Sequence, residues 1–340
     1  MYALLLTDIG DRYTFHYANV PIPHIRQGEA VVKVSYCGVN HLDLLIASGK
    51  RPGPKKLPHV LGSEIVGTVH KIENNSKIGI KKGDLVVVYP WTFCGSCNQC
   101  LNGNEQMCDA GGTIGRTIWG GYAEYVRVPV TNLVKLPDGI PVHSACAITL
   151  AGTTAHHLIR RAGVREKSTV LVTGATGGVG LLVIQLLKQM HCTIVAVTSS
   201  AQKGERLRQI GVDTIINTDK LVEQSTRLFP NGFDHVIDIM GGDIWSESVK
   251  VLAKGGSMSF CSTTLDGPGT VHIGNAFARE ITIQGSYGGT KKDLHAALEL
   301  LHQGVLVPVI DSTVVLKDAA TALEKLQSKR VFGKVIVKAE

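Results

Sequence analysis

A chain of 340 residues with 44% hydrophobic side chains is long enough to bury two separate cores. Only 19% of its residues are charged and the net charge of +7 is spread along the chain, which argues against a nucleic-acid surface and leaves anionic cofactor phosphates as the simpler use of the positive charge. No run reaches the roughly 18 apolar residues of a membrane span, and MYALLLTDIG lacks the basic segment and long apolar core of an export signal. A cytoplasmic enzyme or binding protein acting on a small molecule is expected, with neither nucleic acid nor membrane as partner.

In chain order, the first part reads as short strands punctuated by Gly and Pro: AVVKVSYCGV, EIVGTVHKI, DLVVVYP and AEYVRVP. Before the last of these, Cys94, Cys97, Cys100 and Cys108 form C-x2-C-x2-C-x7-C in a Gly- and Asn-rich loop. Four thiolates at this spacing wrap one tetrahedral zinc and leave no open position for a substrate, so one structural Zn2+ is expected. An iron–sulfur cluster also accepts four thiolates, but the fourth cysteine is local and the loop has the composition of a zinc site. Cys37, Cys146, Cys192 and Cys261 are scattered, which speaks for a metal clip in a reducing compartment and against a disulfide framework.

PDGIPVHSA has the turn chemistry of a boundary, and a helix is expected from His143 to Ala162. From Thr169 apolar β-branched runs alternate with amphipathic segments: VLVTGA, a helix from Gly177 to Met190, TIVAVT, a helix from Gln202 to Ile210, DTIIN, a helix from Leu221 to Phe229, FDHVIDI, a helix and GSMSF. Such alternation implies a parallel sheet with helices on both faces. The tail from Gly285 offers a helix at Lys292 to His302, a strand at Val309 to Leu316, a helix at Lys317 to Gln327 and the closing strand KVIVK.

Thr173 to Gly180, TGATGGVG, stands where a buried strand gives way to a helix, so backbone N–H groups and the helix N-terminus would face a pyrophosphate. Ala175 takes the first glycine position, and Thr176, Gly177, Gly178 and Val179 complete the loop. The second strand ends in Thr198, Ser199 and Ser200, followed by Lys203, where an NAD-binding loop would place a carboxylate on the ribose hydroxyls. Hydroxyls and a lysine suit a 2'-phosphate, so NADPH is preferred over NADH. A plain tight turn and a solvated polar loop are the alternatives at these two places.

CGVNHLD, LPHVLGSEIVG, the four-cysteine lobe, GGYAEY, LAGTTAHH, TGATGGVG and GKVIV together resemble the medium-chain dehydrogenase/reductase superfamily, the zinc alcohol dehydrogenases and quinone oxidoreductases. The resemblance covers nearly the whole chain. It implies an α/β protein with a GroES-like, β-rich catalytic domain from residues 1–150 and 285–340 (structural zinc lobe 91–110), a Rossmann domain inserted at 151–284, and a cleft between the two. By the same resemblance His41 contacts cofactor pyrophosphate, Thr154 the nicotinamide carboxamide and Val179 the ring, with Cys261 counted among the cofactor residues.

Where the zinc alcohol dehydrogenases carry their three catalytic ligands, this chain has Asn40, Ser63 and Leu150, and Leu42 replaces the hydroxyl of the proton relay. Leucine offers no donor atom and a neutral amide or hydroxyl offers a poor one. Without a Lewis acid, alcohol oxidation is disfavoured, and substrates already electrophilic fit better: quinones, or alkenes conjugated to a carbonyl. Asn40 is expected as the main hydrogen-bond donor to the developing enolate and Ser63 as the second. Val39 to Asp43 fits the Val-Asn-x-x-Asp pattern of quinone oxidoreductases, although these usually lack the cysteine lobe and some carry a tyrosine near this loop where Leu45 stands. No proton donor is evident, and water is expected to supply the proton.

Two other readings stand beside this one. A metal held by His41, His59, Glu64 and Cys37 would restore an alcohol or polyol dehydrogenase. An NADPH-binding sensor or RNA-associated protein without turnover is the third. His156 and His157 read as packing or surface residues, Lys334 as a solvated strand lysine that could otherwise reach a phosphate, Glu64 as an ion-pair or hydrogen-bond partner, and Asp43 as a holder of loop N–H groups. ITIQGSY reads as a strand near the sheet edge that would pair with a second copy, which with the resemblance points to a homodimer or homotetramer.

Overall fold

A computed structural model describes residues 1–73, 79–261 and 267–339. The chain folds as two compact units, Met1–Leu150 with Thr290–Gln303 and Ile310–Glu340, and Ala151–Gly289 with Gly304–Val309.

The first unit is built on a sheet whose strands follow the order Ile310–Val315, Lys334–Lys338, Glu29–Gly38, Glu64–Ile72, Leu85–Val88, Leu133–Lys135, with Tyr125–Pro129 also paired to Glu29–Gly38. Alternate apolar residues of these strands face one core, including Val32, Val34, Ile65, Val86, Val88, Val335 and Val337, all buried. Each such aliphatic side chain contributes roughly 1.5–3 kcal/mol when fully buried. The register sets Ile336 opposite Gly38 and Gly38 opposite Glu64, which brings the closing strand, the Cys37–Asp43 loop and Glu64 together. Tyr2–Asp8 and Thr14–Asn19 form an antiparallel pair that the sequence reading did not single out. Leu4, Leu5 and Leu6 of that pair join the same core.

In the second unit six parallel strands lie in the order Thr214–Ile216, Thr193–Val197, Thr169–Val172, Phe233–Asp238, Leu252–Phe260, Thr282–Gly285. This is the Rossmann strand order, in which the first strand in sequence is central and the chain winds outward on both sides. The intervening helices Gly178–Gln189, Ala201–Gln209 and Leu221–Leu228 fall within one or two residues of their expected limits. The expected hand-over at residue 284 falls inside the sixth strand, so the unit continues to Gly289. Residues 304–309 return to it as well. There Gln185 holds the backbone of Val307, its Nε2 donating to the carbonyl at 2.9 Å and its Oε1 accepting the N–H at 2.7 Å.

The single helix expected over His143–Ala162 is two, Val142–Thr149 and Ala151–Ala162. Gly152 lies just past the break, inside the second helix. Leu150 gives its N–H to Glu64 Oε1 at 2.9 Å, so a side-chain acceptor stands in for the helical carbonyl at that residue. The same residue closes the first segment of the first unit.

Candidate active site

The loop after strand Glu29–Gly38 is pinned by one carboxylate. Asp43 Oδ2 accepts the Asn40 N–H at 2.9 Å and the Tyr122 hydroxyl at 2.9 Å, and its Oδ1 accepts the Gly62 N–H at 3.2 Å. Asp43 thus holds the backbone beside both Asn40 and Ser63, as its place in the loop leads one to expect. Burial pushes its carboxyl up to about 6, against the opposing pull of these donors and of Lys334.

Asn40 is the N-cap of the helix His41–Ala47, and its side chain bonds to groups outside that helix. Lys334 Nζ donates to Asn40 Oδ1 at 2.8 Å and to Val39 O at 3.0 Å, and pairs with Glu64 Oε2 at 2.5 Å. Asn40 Nδ2 donates in turn to Glu64 Oε2 at 3.1 Å and Gly38 O at 3.3 Å. Two sequence expectations are corrected here. Lys334 is 5% exposed and not solvated. The carboxamide of Asn40, expected to reach a substrate oxygen, has both amide hydrogens directed at protein acceptors. Glu64, fully buried, is the ion-pair partner it was expected to be.

Ser63 differs. It lies buried next to Glu64, and its hydroxyl takes no partner among the described residues, so it has a proton to offer. Of the three positions compared with catalytic zinc ligands, one therefore presents a bonded amide, one a hydroxyl and one an apolar side chain whose N–H is committed to Glu64. Such a set does not fit a divalent ion, and the Lys334 ammonium on Glu64 and Asn40 opposes one. The alternative set fares no better. Among the described residues His41, His59, Glu64 and Cys37 form no converging donor group. Burial pushes His59 down to about 4 and the Cys37 thiol well above its ordinary value.

Cys94, Cys97, Cys100 and Cys108 do converge, their sulfurs all within 4.8 Å of one another. Cys94 and Cys100 are 3.9 Å apart, Cys97 and Cys100 3.5 Å, Cys97 and Cys108 3.8 Å. A tetrahedron with Zn–S near 2.3 Å has edges of about 3.8 Å, so the four residues fit one zinc. The N–H of Ser96, its hydroxyl and the N–H of Cys97 draw the Cys94 thiol down to about 6, while burial pushes the Cys100 thiol up to about 12.

The expected cofactor residues of the second unit gather at one end of its sheet. Ala175 to Val179 follow strand Thr169–Val172, Thr198 to Lys203 follow the neighbouring parallel strand Thr193–Val197, and Cys261 follows Leu252–Phe260. Thr154 lies buried on the helix Ala151–Ala162, while His41 belongs to the first unit. At Gly180 a Cβ would stand 2.3 Å from Gly174 O, so glycine is required for the helix to meet the loop. At Gly177 a Cβ would meet nothing nearer than Gly174 O at 3.6 Å. That open approach, at a cap with no side chain to satisfy the first-turn N–H groups, fits a pyrophosphate. Thr198 Oγ1 and Ser200 Oγ accept the N–H groups of Ser200 and Lys203, each at 3.3 Å, which leaves both hydroxyl protons to donate to a ligand. His157, on the same helix as Thr154, is buried with Nδ1 2.8 Å from Arg160 Nη2, a packing role.

The family model for the alcohol dehydrogenase GroES-like domain matches residues 26–138, and that for zinc-binding dehydrogenases matches residues 178–303. The chain is 31% identical to an NAD-dependent alcohol dehydrogenase of Sulfolobus acidocaldarius, over 99% of each chain. It is also 31% identical to an acryloyl-coenzyme A reductase of Sulfurisphaera tokodaii, over 97% of this chain and 98% of that one. A cobalt- and zinc-bound thermostable alcohol dehydrogenase from Pyrobaculum aerophilum superposes with a TM-score of 0.89 at 30% identity, over 100% and 99% of the two chains. With a GroES-like unit, a Rossmann unit and a four-cysteine zinc lobe in one chain, the protein belongs to the medium-chain dehydrogenase/reductase superfamily of oxidoreductases.

Proposed function

We propose that the protein reduces alkenes conjugated to a carbonyl, with NADPH as the hydride source and no metal at the reacting centre. The observation that carries this reading is what stands at positions 40, 63 and 150: a carboxamide and a backbone N–H both bound to the ion-paired Glu64, and a lone hydroxyl between them in sequence, a set that suits no divalent ion. A nicotinamide cofactor held by residues 175–179 and 198–203 would supply the hydride that the β carbon accepts. As charge moves onto the carbonyl oxygen, the Ser63 hydroxyl donates a hydrogen bond to it, and a proton from water then completes the α carbon. Ser63 takes the leading role first given to Asn40, because the Asn40 hydrogens are engaged. Quinones accept hydride by the same logic and belong to the same class. That relatives include acryloyl-coenzyme A reductases supports the alkene reading. Alcohol oxidation, the activity in the names of other relatives, is the second reading.

NADPH oxidation against a panel of enones, enoyl thioesters and quinones, beside alcohols with NADP+, tests this. Turnover of the unsaturated carbonyls is expected, with about one zinc per chain. Ser63→Ala is expected to lower kcat by about 100-fold, the scale for loss of one oxyanion donor. Alcohol oxidation abolished by chelators, with about two zinc ions per chain, would overturn the reading.

The preference for NADPH rests on Thr198, Ser200 and Lys203, with no carboxylate from 198 to 203. Lys203→Ala is expected to raise KM for NADPH by about tenfold or more, the scale of one charge-assisted hydrogen bond, with KM for NADH nearly unchanged. Equal losses for the two cofactors would count against a 2'-phosphate contact.

A further inference from the structure

Three groups meet in the first unit where the closing strand passes the Cys37–Asp43 loop: Glu64, Asn40 and Lys334. The three acceptors around Lys334 Nζ account for all three ammonium hydrogens. It is therefore a fixed charge with no hydrogen left to give a ligand. What it fixes is orientation. The two ends of a carboxamide are nearly equal in size, and their partners decide which end points where. An ammonium can face only the oxygen, so Asn40 Oδ1 turns to Lys334 and Nδ2 turns to Gly38 O and Glu64 Oε2. Through Oε1 the same carboxylate holds Leu150, and the chain continues backward from Glu64 into Ser63. The sequence is shaped to admit this knot, for a Cβ at Gly38 would lie 2.1 Å from Glu64 Oε2.

We propose that Lys334 is a positioning residue, the resident cation that gathers Asn40, Glu64 and Leu150 beside Ser63 and so sets the geometry in which Ser63 meets the substrate. This rests on the reading of metal-free hydride transfer given above. A merely structural ion pair would set stability alone, whereas a positioning cation also sets turnover.

Two variants separate these roles. Lys334→Met strands a buried carboxylate, and a lower melting temperature with a loss of about tenfold or more in kcat is expected, since small misplacements at a reacting centre cost up to about 100-fold. Its KM for NADPH should stay within about threefold of wild type, because an interaction felt in the transition state lowers kcat and not ground-state binding. Lys334→Met/Glu64→Gln removes both charges in similar volumes. Most of the melting temperature should return while kcat stays depressed, and a crystal structure should show the Asn40 carboxamide turned. Recovery of melting temperature and kcat together would make Lys334 structural only and overturn the proposal, as would wild-type values in the single variant. Should the wild-type enzyme reduce no unsaturated carbonyl, the functional reading fails. The melting cycle and the carboxamide orientation then still report on Lys334, and an unturned carboxamide in the double variant overturns its role.

Discussion

Glu64→Ala should destabilise the first unit by about 3–5 kcal/mol, the range for removing one partner of a buried ion pair. The pair is sealed, with side-chain exposures of 5% for Lys334 and 0% for Glu64. Truncation leaves the ammonium with two neutral oxygens as its remaining acceptors and takes from the Leu150 N–H its one acceptor. The exposed pair Arg208–Glu205, at 58% and 61%, is a control from the same molecule, and Glu205→Ala should cost under about 0.5 kcal/mol. A unit of this kind sits within a two-unit chain, so one global melting temperature is a blunt probe. Hydrogen exchange read on the amides of strands Glu64–Ile72 and Lys334–Lys338 localises the loss. Matching protection in Glu64→Ala and wild type would show that the pair contributes nothing to holding those strands.

The features legible in the sequence were those set by local chemistry. The parallel sheet followed from the alternation of β-branched runs with amphipathic segments, and the zinc lobe from thiol spacing. Asp43 was legible as a loop holder because its acceptors reach N–H groups only a few residues away or in the adjoining segment. Lys334 was not, since its partners Asn40 and Val39 lie 294 and 295 residues distant and a lysine opening a strand ordinarily faces water. Two clues were nonetheless present: a Glu64 in need of a cation, and a strand, KVIV, otherwise apolar. The helix break at Leu150 was hidden for the same reason, because the acceptor that takes the Leu150 N–H is a carboxylate distant in sequence. The engagement of the Asn40 carboxamide was hidden along with Lys334. With no cation in view its amide hydrogens looked available.

Cys97→Ser should reduce bound zinc from about one per chain to near none, because a hydroxyl at neutral pH is a far weaker ligand than the thiolate it replaces. The lobe has little else to hold it. Leu101 is 73% exposed and Met107 50%, and its short helix Asn98–Leu101 buries no residue, so no apolar core substitutes for the metal. Structural zinc binding is in such segments folding free energy, on the order of 10 kcal/mol in isolated zinc-finger peptides. Anchors that remain after metal loss include the two-residue pairing of Trp91–Thr92 with Gly112–Thr113, the Asn132 Nδ2 bond to Trp91 O at 2.8 Å, the Phe93 ring against Tyr89, and the bond in which Glu105 Oε1 accepts the Lys291 N–H at 2.5 Å. These should keep the two ends of the segment and the Glu105 anchor in place while the rest of residues 93–111 loses protection, so fast hydrogen exchange and new proteolytic cuts are expected there and not in the second unit. A colorimetric chelator should release one equivalent of zinc from wild type on thiol modification and almost none from the variant. Retention of a full equivalent by Cys97→Ser, with unchanged protection across 93–111, would show that these four sulfurs are not the ligand set.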